Sequence, residues 1–341
     1  MKRAEMFGTL FVLVVFTLLP IAFPNPAITS IGVFTVILAS AAVAWNIFSG
    51  YTGYISLGYA VYFGCGAYLF SLLIEGAHLQ GGYLPFWLLL PVGLLTSVFA
   101  LPVGWIVLRT RKHVFVVLTV ATVFIMQLLA YNLRSITGGS AGLYLPFPSW
   151  NPDFFNIPYY YVGLLLLVLA VAISWWIRRS KYGLGLLAIR EDEERARGMG
   201  INVEAYKLSA LVISAFFGGT AGALTTYYTG SISPPDAFAP IFDVTVALTV
   251  FFGGTGTLLG PLLGAALLGP VQQYLTQQYG AIGLDKILFG ALLLAVILLL
   301  PEGVVVSLPR LWMKLSVLRR VTVLPVPVPE KREGSIVEKS K

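Results

Sequence analysis

Ten apolar stretches, most close to the length of a membrane crossing, follow one another along the chain. Their limits are 6–23, 28–48, 54–74, 84–108, 114–134, 159–177, 206–228, 240–255, 258–277 and 285–304. A hydrocarbon core about 30 Å thick takes about 20 residues at helical rise. The runs are continuous and do not alternate, so they lack the pattern of short two-sided strands that a membrane β-barrel requires. The pattern predicts an all-α, polytopic helical membrane protein of about ten transmembrane segments, occupying residues 1–308. Composition agrees, with 57% hydrophobic residues, 11% charged residues and a mean hydropathy of +0.85. Soluble domains carry about 25% charge.

Two of the ten segments are irregular. Segment 54–74 follows a run of small and polar residues containing Gly50, Thr52, Gly53, Ser56 and Gly58, and Gly64 and Gly66 interrupt it further on. Segment 240–255 is short and ends in Gly253, Gly254, Thr255, Gly256 and Thr257, with Gly260-Pro261 beyond. Non-helical backbone at membrane depth persists only where protein or a water-filled cavity satisfies it. Matched glycine breaks in two halves of a transporter mark its path, so these ten residues are the candidate translocation path. A packing seam of small residues is the competing reading.

Charge is concentrated in one island, Arg178–Lys207. Its centre, Leu186–Arg197, is free of proline, with Gly183 and Gly185 before it and Gly198 and Gly200 after it. That punctuation predicts one short helix of about three turns. Glu191–Arg195 and Glu193–Arg197 would then form acid-before-base pairs four residues apart, each worth about 0.2–0.5 kcal/mol. The island is either a solvated loop helix or a docking helix for a soluble partner.

The net charge of +7 reflects the sidedness of a membrane protein rather than nucleic-acid binding. With the N-terminus in the cytoplasm and ten crossings, all of the 22 Lys and Arg except Arg134 and Lys286 fall on the cytoplasmic side. The outer connections hold Glu75, Asp153, Asp236 and Asp285. Such asymmetry follows the positive-inside rule and places both termini in the cytoplasm. Lys2-Arg3 and the apolar run to Phe23 resemble a signal peptide, but Pro24-Asn25-Pro26 is no cleavage site, which predicts an uncleaved first span. Residues 309–341 read as a disordered, basic cytoplasmic tail, with contact to anionic lipid as an alternative.

The span interiors contain almost no ionisable groups. Asp243 is the nearest candidate, either a helix-terminal acid near water or part of a pathway. Ionisable groups inside membranes mark proton relays and intramembrane catalysis, and their scarcity argues against an ion-coupled carrier or an enzyme. The lone Cys65 excludes an intrachain disulfide, no cysteine–histidine cluster offers a metal site, and no Gly-x-x-x-x-Gly-Lys sequence binds nucleotide phosphate. His78 and His113 fall at span ends, as chance interfacial positions. Energy for transport must therefore reach the chain from outside it.

Several motifs, in order and at plausible spacing over about residues 35–305, resemble permeases of branched-chain amino acid ABC importers. They are Gly50–Gly58 with Phe63-Gly64-x-Gly66-Ala67-Tyr68, Thr137-Gly138-Gly139, Ala188–Glu194 with Gly200–Val203, Ser231–Pro234, Gly253–Pro261 and Pro301-x-Gly303. Tyr54 stands where that family commonly has glutamine. The resemblance implies an ABC importer permease fold in a prokaryotic inner membrane. It implies that the island, through Arg190, Glu191, Glu193, Glu194, Arg195 and Gly198, docks on an ATPase subunit and receives its closure. It further implies a second permease subunit, an extracytoplasmic substrate-binding protein, surrounding lipid, and ATP and Mg²⁺ used by the ATPase, with no cofactor on this chain. The implied cargo is a branched-chain or other apolar amino acid; urea, short amides or another small neutral solute is the alternative.

Overall fold

The computed structural model describes residues 3–280 and 283–299. Helices occupy all ten predicted segments: α1 (Arg3–Ala22), α2 (Pro26–Trp45), α3 (Tyr59–Gly76), α4 (Leu89–Val107) and α5 (Lys112–Asn132) form the first half. After the short α6 (Arg134–Thr137) come α7 (Pro152–Arg179), α8 (Lys181–Glu191), α9 (Glu193–Gly198) and α10 (Val203–Thr229). The short α11 (Pro234–Ala237) leads to α12 (Pro240–Gly253), α13 (Gly260–Tyr279) and α14 (Leu284–Leu299). Among the described residues, eight helical segments are long and apolar enough to cross a membrane. Helix α13, with four glutamines, and α14, with 16 residues, occupy the last two predicted segments but are not among those eight. The tail expected over 309–341 and the Pro301-x-Gly303 motif lie outside the described residues.

Small residues decide which helices sit at the centre. The middle of α2 reads Ile37-Leu38-Ala39-Ser40-Ala41-Ala42-Val43-Ala44, and every one of these side chains is buried. Helix α10 carries Gly218, Gly219 and Gly222 on the side facing α3. A Cβ on Gly66 would stand 2.1 Å from the Gly219 carbonyl oxygen, and one on Gly222 2.0 Å from that of Phe63. Lipid tails are as apolar as leucine, so close backbone approach drives helix association in a membrane. The outer helices α1, α4 and α5 instead turn Phe11, Trp105, Val117 and Leu128 outward.

Proline and asparagine start the helices sharply. Asn25 caps α2 by accepting from the Ala27 N–H, with Pro26 at the first position, and Asn151 caps α7 with Pro152 following. Both use a helix start where proline's missing N–H costs nothing. On one face of the bundle β1 (Leu143–Tyr144) pairs antiparallel with β2 (Ser231–Ile232). This ribbon joins the Thr137-Gly138-Gly139 turn to the Ser231–Pro234 motif. Gly142, at φ +71°, lies against the Ile232 carbonyl, where a Cβ would come to 2.1 Å.

Two elements differ from expectation. The third span is helical only from Tyr59; residues 53–58 run without helix. The charged island is not one helix over Leu186–Arg197. Ser180 caps α8, which begins at Lys181, and the chain then breaks at Asp192, whose backbone is extended (φ −155°, ψ 109°) and whose carboxylate caps α9. Gly183 and Gly185 therefore lie inside α8. Gly183 packs on the Ile177 carbonyl and Gly185 on the Tyr206 ring, so glycine there serves packing rather than helix start. The break also alters the charge pairs. Arg195 turns to Asp192 at 3.0 Å instead of Glu191, while Glu193–Arg197 forms at 3.5 Å.

Candidate functional site

The two glycine breaks, some 200 residues apart in sequence, meet in space. After Trp45 the chain makes a wider turn over Asn46–Gly50, which swings the Asn46 side chain toward residues 253–260. Asn46 is fully buried. Its Nδ2 donates to the Thr257 carbonyl at 2.9 Å, and its Oδ1 accepts from the Gly256 N–H at 2.8 Å. One side chain thus satisfies both groups of a non-helical turn, as burial demands. Gly254 (φ +124°) and Gly256 (φ +73°) hold conformations that favour glycine. Thr257 Oγ1 closes the turn, donating to the Gly254 carbonyl at 2.8 Å and accepting from the Gly260 N–H at 2.9 Å.

The run from Gly50 to Gly58 is satisfied in the same manner. Thr52 donates to the Phe48 carbonyl at 2.8 Å, Ser49 Oγ accepts from the Ser56 N–H at 3.2 Å, and Trp45 Nε1 donates to the Ser56 carbonyl at 2.9 Å. Gly58 lies against the Thr119 carbonyl, where a Cβ would come to 2.7 Å. The start of α3 is capped from a distance: Asp243 Oδ1 accepts from the Ala60 N–H at 2.8 Å. A carboxylate suits the positive end of a helix. Asp243 is 1% exposed, so the reading of it as a helix-terminal acid near water does not hold.

Arg190 of α8 reaches into the place where the breaks meet. Its Nη1 donates to the Gly50 carbonyl at 2.8 Å. A Cβ on Gly256 would stand 2.1 Å from that same nitrogen, and one on Gly53 (φ +73°) 2.9 Å from Arg190 Cγ. The notch exists because these positions have no side chains. A second tie lies one turn further on. Lys207 Nζ donates to Glu193 Oε1 at 3.0 Å and to the Tyr54 hydroxyl at 3.2 Å, and Tyr54 donates to Glu193 Oε2. Lys207 is 2% exposed and its ammonium sits 4.3 Å from the centre of the Tyr54 ring. Partial burial opposes ionisation of Glu193, but the hydrogen bonds from Tyr54 and Lys207 and the charges of Lys207 and Arg197 outweigh it. Its carboxyl is held below the usual range.

The expected site residues therefore divide. Arg190 and Glu193 turn toward the bundle, whereas Glu191, Glu194 and Arg195 are exposed, and Gly198 has open space beside it. Gly50, Gly53, Gly253, Gly254, Gly256 and Thr257 gather at the seam, with Thr52 beneath and Thr255 half-buried beside it. Ser56 and Gly58 line a separate small space of about 10 Å³, with Phe115 and Thr119. The sequence reading missed Asn46 and Lys207. The available signal was an amide at the end of an otherwise apolar run, and a lysine beyond the island's last acid.

In this helical bundle a charged element outside the predicted spans places an arginine where two broken spans meet. The chain belongs to the family of permease components of branched-chain amino acid transport systems, whose family model matches residues 27–297. It is 29% identical to the high-affinity branched-chain amino acid transport permease LivM of Escherichia coli K12, over 89% of this chain and 76% of that protein. It is 25% identical to LivH of Salmonella typhimurium, over 78% of this chain and 90% of that one. A fructose import permease, FrcC of Rhizobium meliloti, is 31% identical over 31% of each chain. No solved structure matches it significantly.

Proposed function

We propose that this chain forms the translocation path for branched-chain or other apolar amino acids, moved inward by a separate ATPase that docks on α8 and α9. The end of the bundle bearing the charged island faces the cytoplasm, with both termini, and the β1–β2 ribbon faces outward toward a substrate-binding protein. A second permease subunit completes the path, and ATP with Mg²⁺ is used by the ATPase. The relatives named as branched-chain amino acid permeases match 78–89% of this chain, while a fructose permease matches 31% of it and a ribose permease 54%.

One observation carries the coupling: the Arg190 guanidinium, on the docking element, bonds to the Gly50 carbonyl at the meeting point of both broken spans. A displacement of α8 is thereby felt at the seam. Glu191 and Glu194 are exposed and available to a partner, and Arg195, also exposed, is paired with Asp192. The test is Arg190→Met in the assembled complex. ATPase association should persist, while amino-acid uptake per ATP falls about tenfold, within the usual range of coupling energies. Uptake at the original ratio would show that the force travels elsewhere.

A further inference from the structure

A second space opens away from the seam, toward the ribbon-bearing end of the bundle. It measures about 230 Å³ and is bounded by α2, α3, α10, α11, α12 and α13. Drug-sized pockets run from about 300 to 1,000 Å³, so this one suits a small solute. Three helices each contribute residues three or four apart, and therefore on one face: Phe34 with Ile37 on α2, Phe242 with Thr245 on α12, and Gly269 with Gln272 on α13. Because Gly269 adds no bulk, α13 lies close on α2, where a Cβ at 269 would meet Thr35 at 3.0 Å.

The lining is divided by chemistry. Phe34, Ile37, Phe63 and Phe242 make an apolar wall. Thr245, Gln272 and the exposed Asp236 also line the space; Asp236 brings one formal charge, and Ser233 orients that carboxylate by donating to its Oδ2. Thr245 is 2% exposed, and its Oγ1 has no hydrogen-bond partner. A buried hydroxyl left unpaired is costly, and native proteins keep few such groups. Thr226 and Thr249 are unpaired in the same way, and of these three threonines Thr245 is the one that lines the cavity.

We infer that this cavity is a binding station for one zwitterionic α-amino acid with an aliphatic side chain, a reading that rests on the permease function proposed above. Asp236 takes the ammonium. The Thr245 hydroxyl and the Gln272 amide donate to the carboxylate, and the aliphatic group lies on the phenylalanine wall. A sugar presents hydroxyls on all sides, and this wall would leave several of them unpaired. Urea or a short amide would leave the wall without a partner. None of the glycine-seam residues lines this space, so station and seam are separate stages of one path.

The test uses the complete complex in nanodiscs, with Cys65→Ala and a reporter cysteine at Gln273→Cys or, should that variant fail to assemble, Thr225→Cys, two lining positions to which the station assigns no contact. A small water-soluble methanethiosulfonate should label the reporter, and L-leucine should slow labelling about tenfold at saturation, while ribose and urea should not. Adding Asp236→Asn should raise the leucine concentration needed for protection about tenfold or more, as expected for loss of a charged hydrogen-bond partner. Leucine uptake by the complex without any protection overturns the station and leaves the permease reading standing. Protection by ribose or urea in place of leucine overturns the substrate class. Absence of amino-acid uptake by the unmodified complex overturns the permease reading, and the station with it.

Discussion

The glycine seam and the cavity are built from opposite materials. At the seam, backbone meets backbone: Gly253 packs on Gly260, Gly256 on the Arg190 guanidinium, and Asn46 occupies both of its side-chain atoms in bonds to the other break. The side chains of Asn46, Thr52 and Thr257 there all have hydrogen-bond partners. In the cavity, aromatic rings hold helices apart and a buried hydroxyl goes unpaired. The seam resembles a closed latch and the cavity a site waiting for its ligand. Polar satisfaction separates the two more cleanly than hydrophobicity does, since both lie within apolar helices.

Substitutions can break this contrast. Asn46→Ala should have the largest effect, about 3 kcal/mol, because the Gly256 N–H and the Thr257 carbonyl each lose a buried partner worth about 1–3 kcal/mol. The thermal unfolding midpoint in detergent would report it. By contrast Thr245→Val should leave that midpoint unchanged or higher, since the hydroxyl it removes has no partner to lose. Equal losses at the two positions would erase the distinction drawn here.

Gly256→Ala comes next. Alanine at φ +73° costs about 1–2 kcal/mol, and its methyl would force Arg190 off the Gly50 carbonyl. Uptake should therefore fall further than stability does. A variant that loses stability but transports normally would remove Arg190 from the coupling route.

Glu193 gives a smaller effect that depends on pH. Its folded pKa lies below its unfolded value, so it stabilises the docked island fully above the ordinary glutamate value of about 4.3. That contribution is lost as pH falls through the lower folded value. The wild-type unfolding midpoint should drop on the acid limb, and Glu193→Gln should flatten that limb. Identical acid limbs would assign the effect to other carboxylates. Smallest of all, Glu194→Ala should move stability by under about 0.5 kcal/mol, as an exposed change does. Reversing Glu191 and Glu194 together to lysine should weaken ATPase association in a pull-down without lowering the midpoint, because both side chains are exposed and the proposed docking face would change sign.

Hydrophobic run length determined the class and the ten segments, because the bilayer fixes length. The glycine runs marked the breaks at 53–58 and 254–259, whereas Gly64 and Gly66, also read as interruptions, lie inside a continuous α3 and serve close packing. The linear pattern also marked the charged island and its last glycines. It did not show that Asp192 splits the island, since a capping aspartate reads in sequence like any other acid on a helix. Nor did it show which acids turn inward: Glu193 and Glu194 are adjacent, and only the position of Lys207 and Tyr54 on other elements selects Glu193. The meeting of Gly50 with Gly256, the role of Asn46, the capping of α3 by Asp243 and the cavity between α2, α12 and α13 all depend on contacts across long sequence separations. A linear pattern records which residues can pair, and packing in three dimensions decides which of them do.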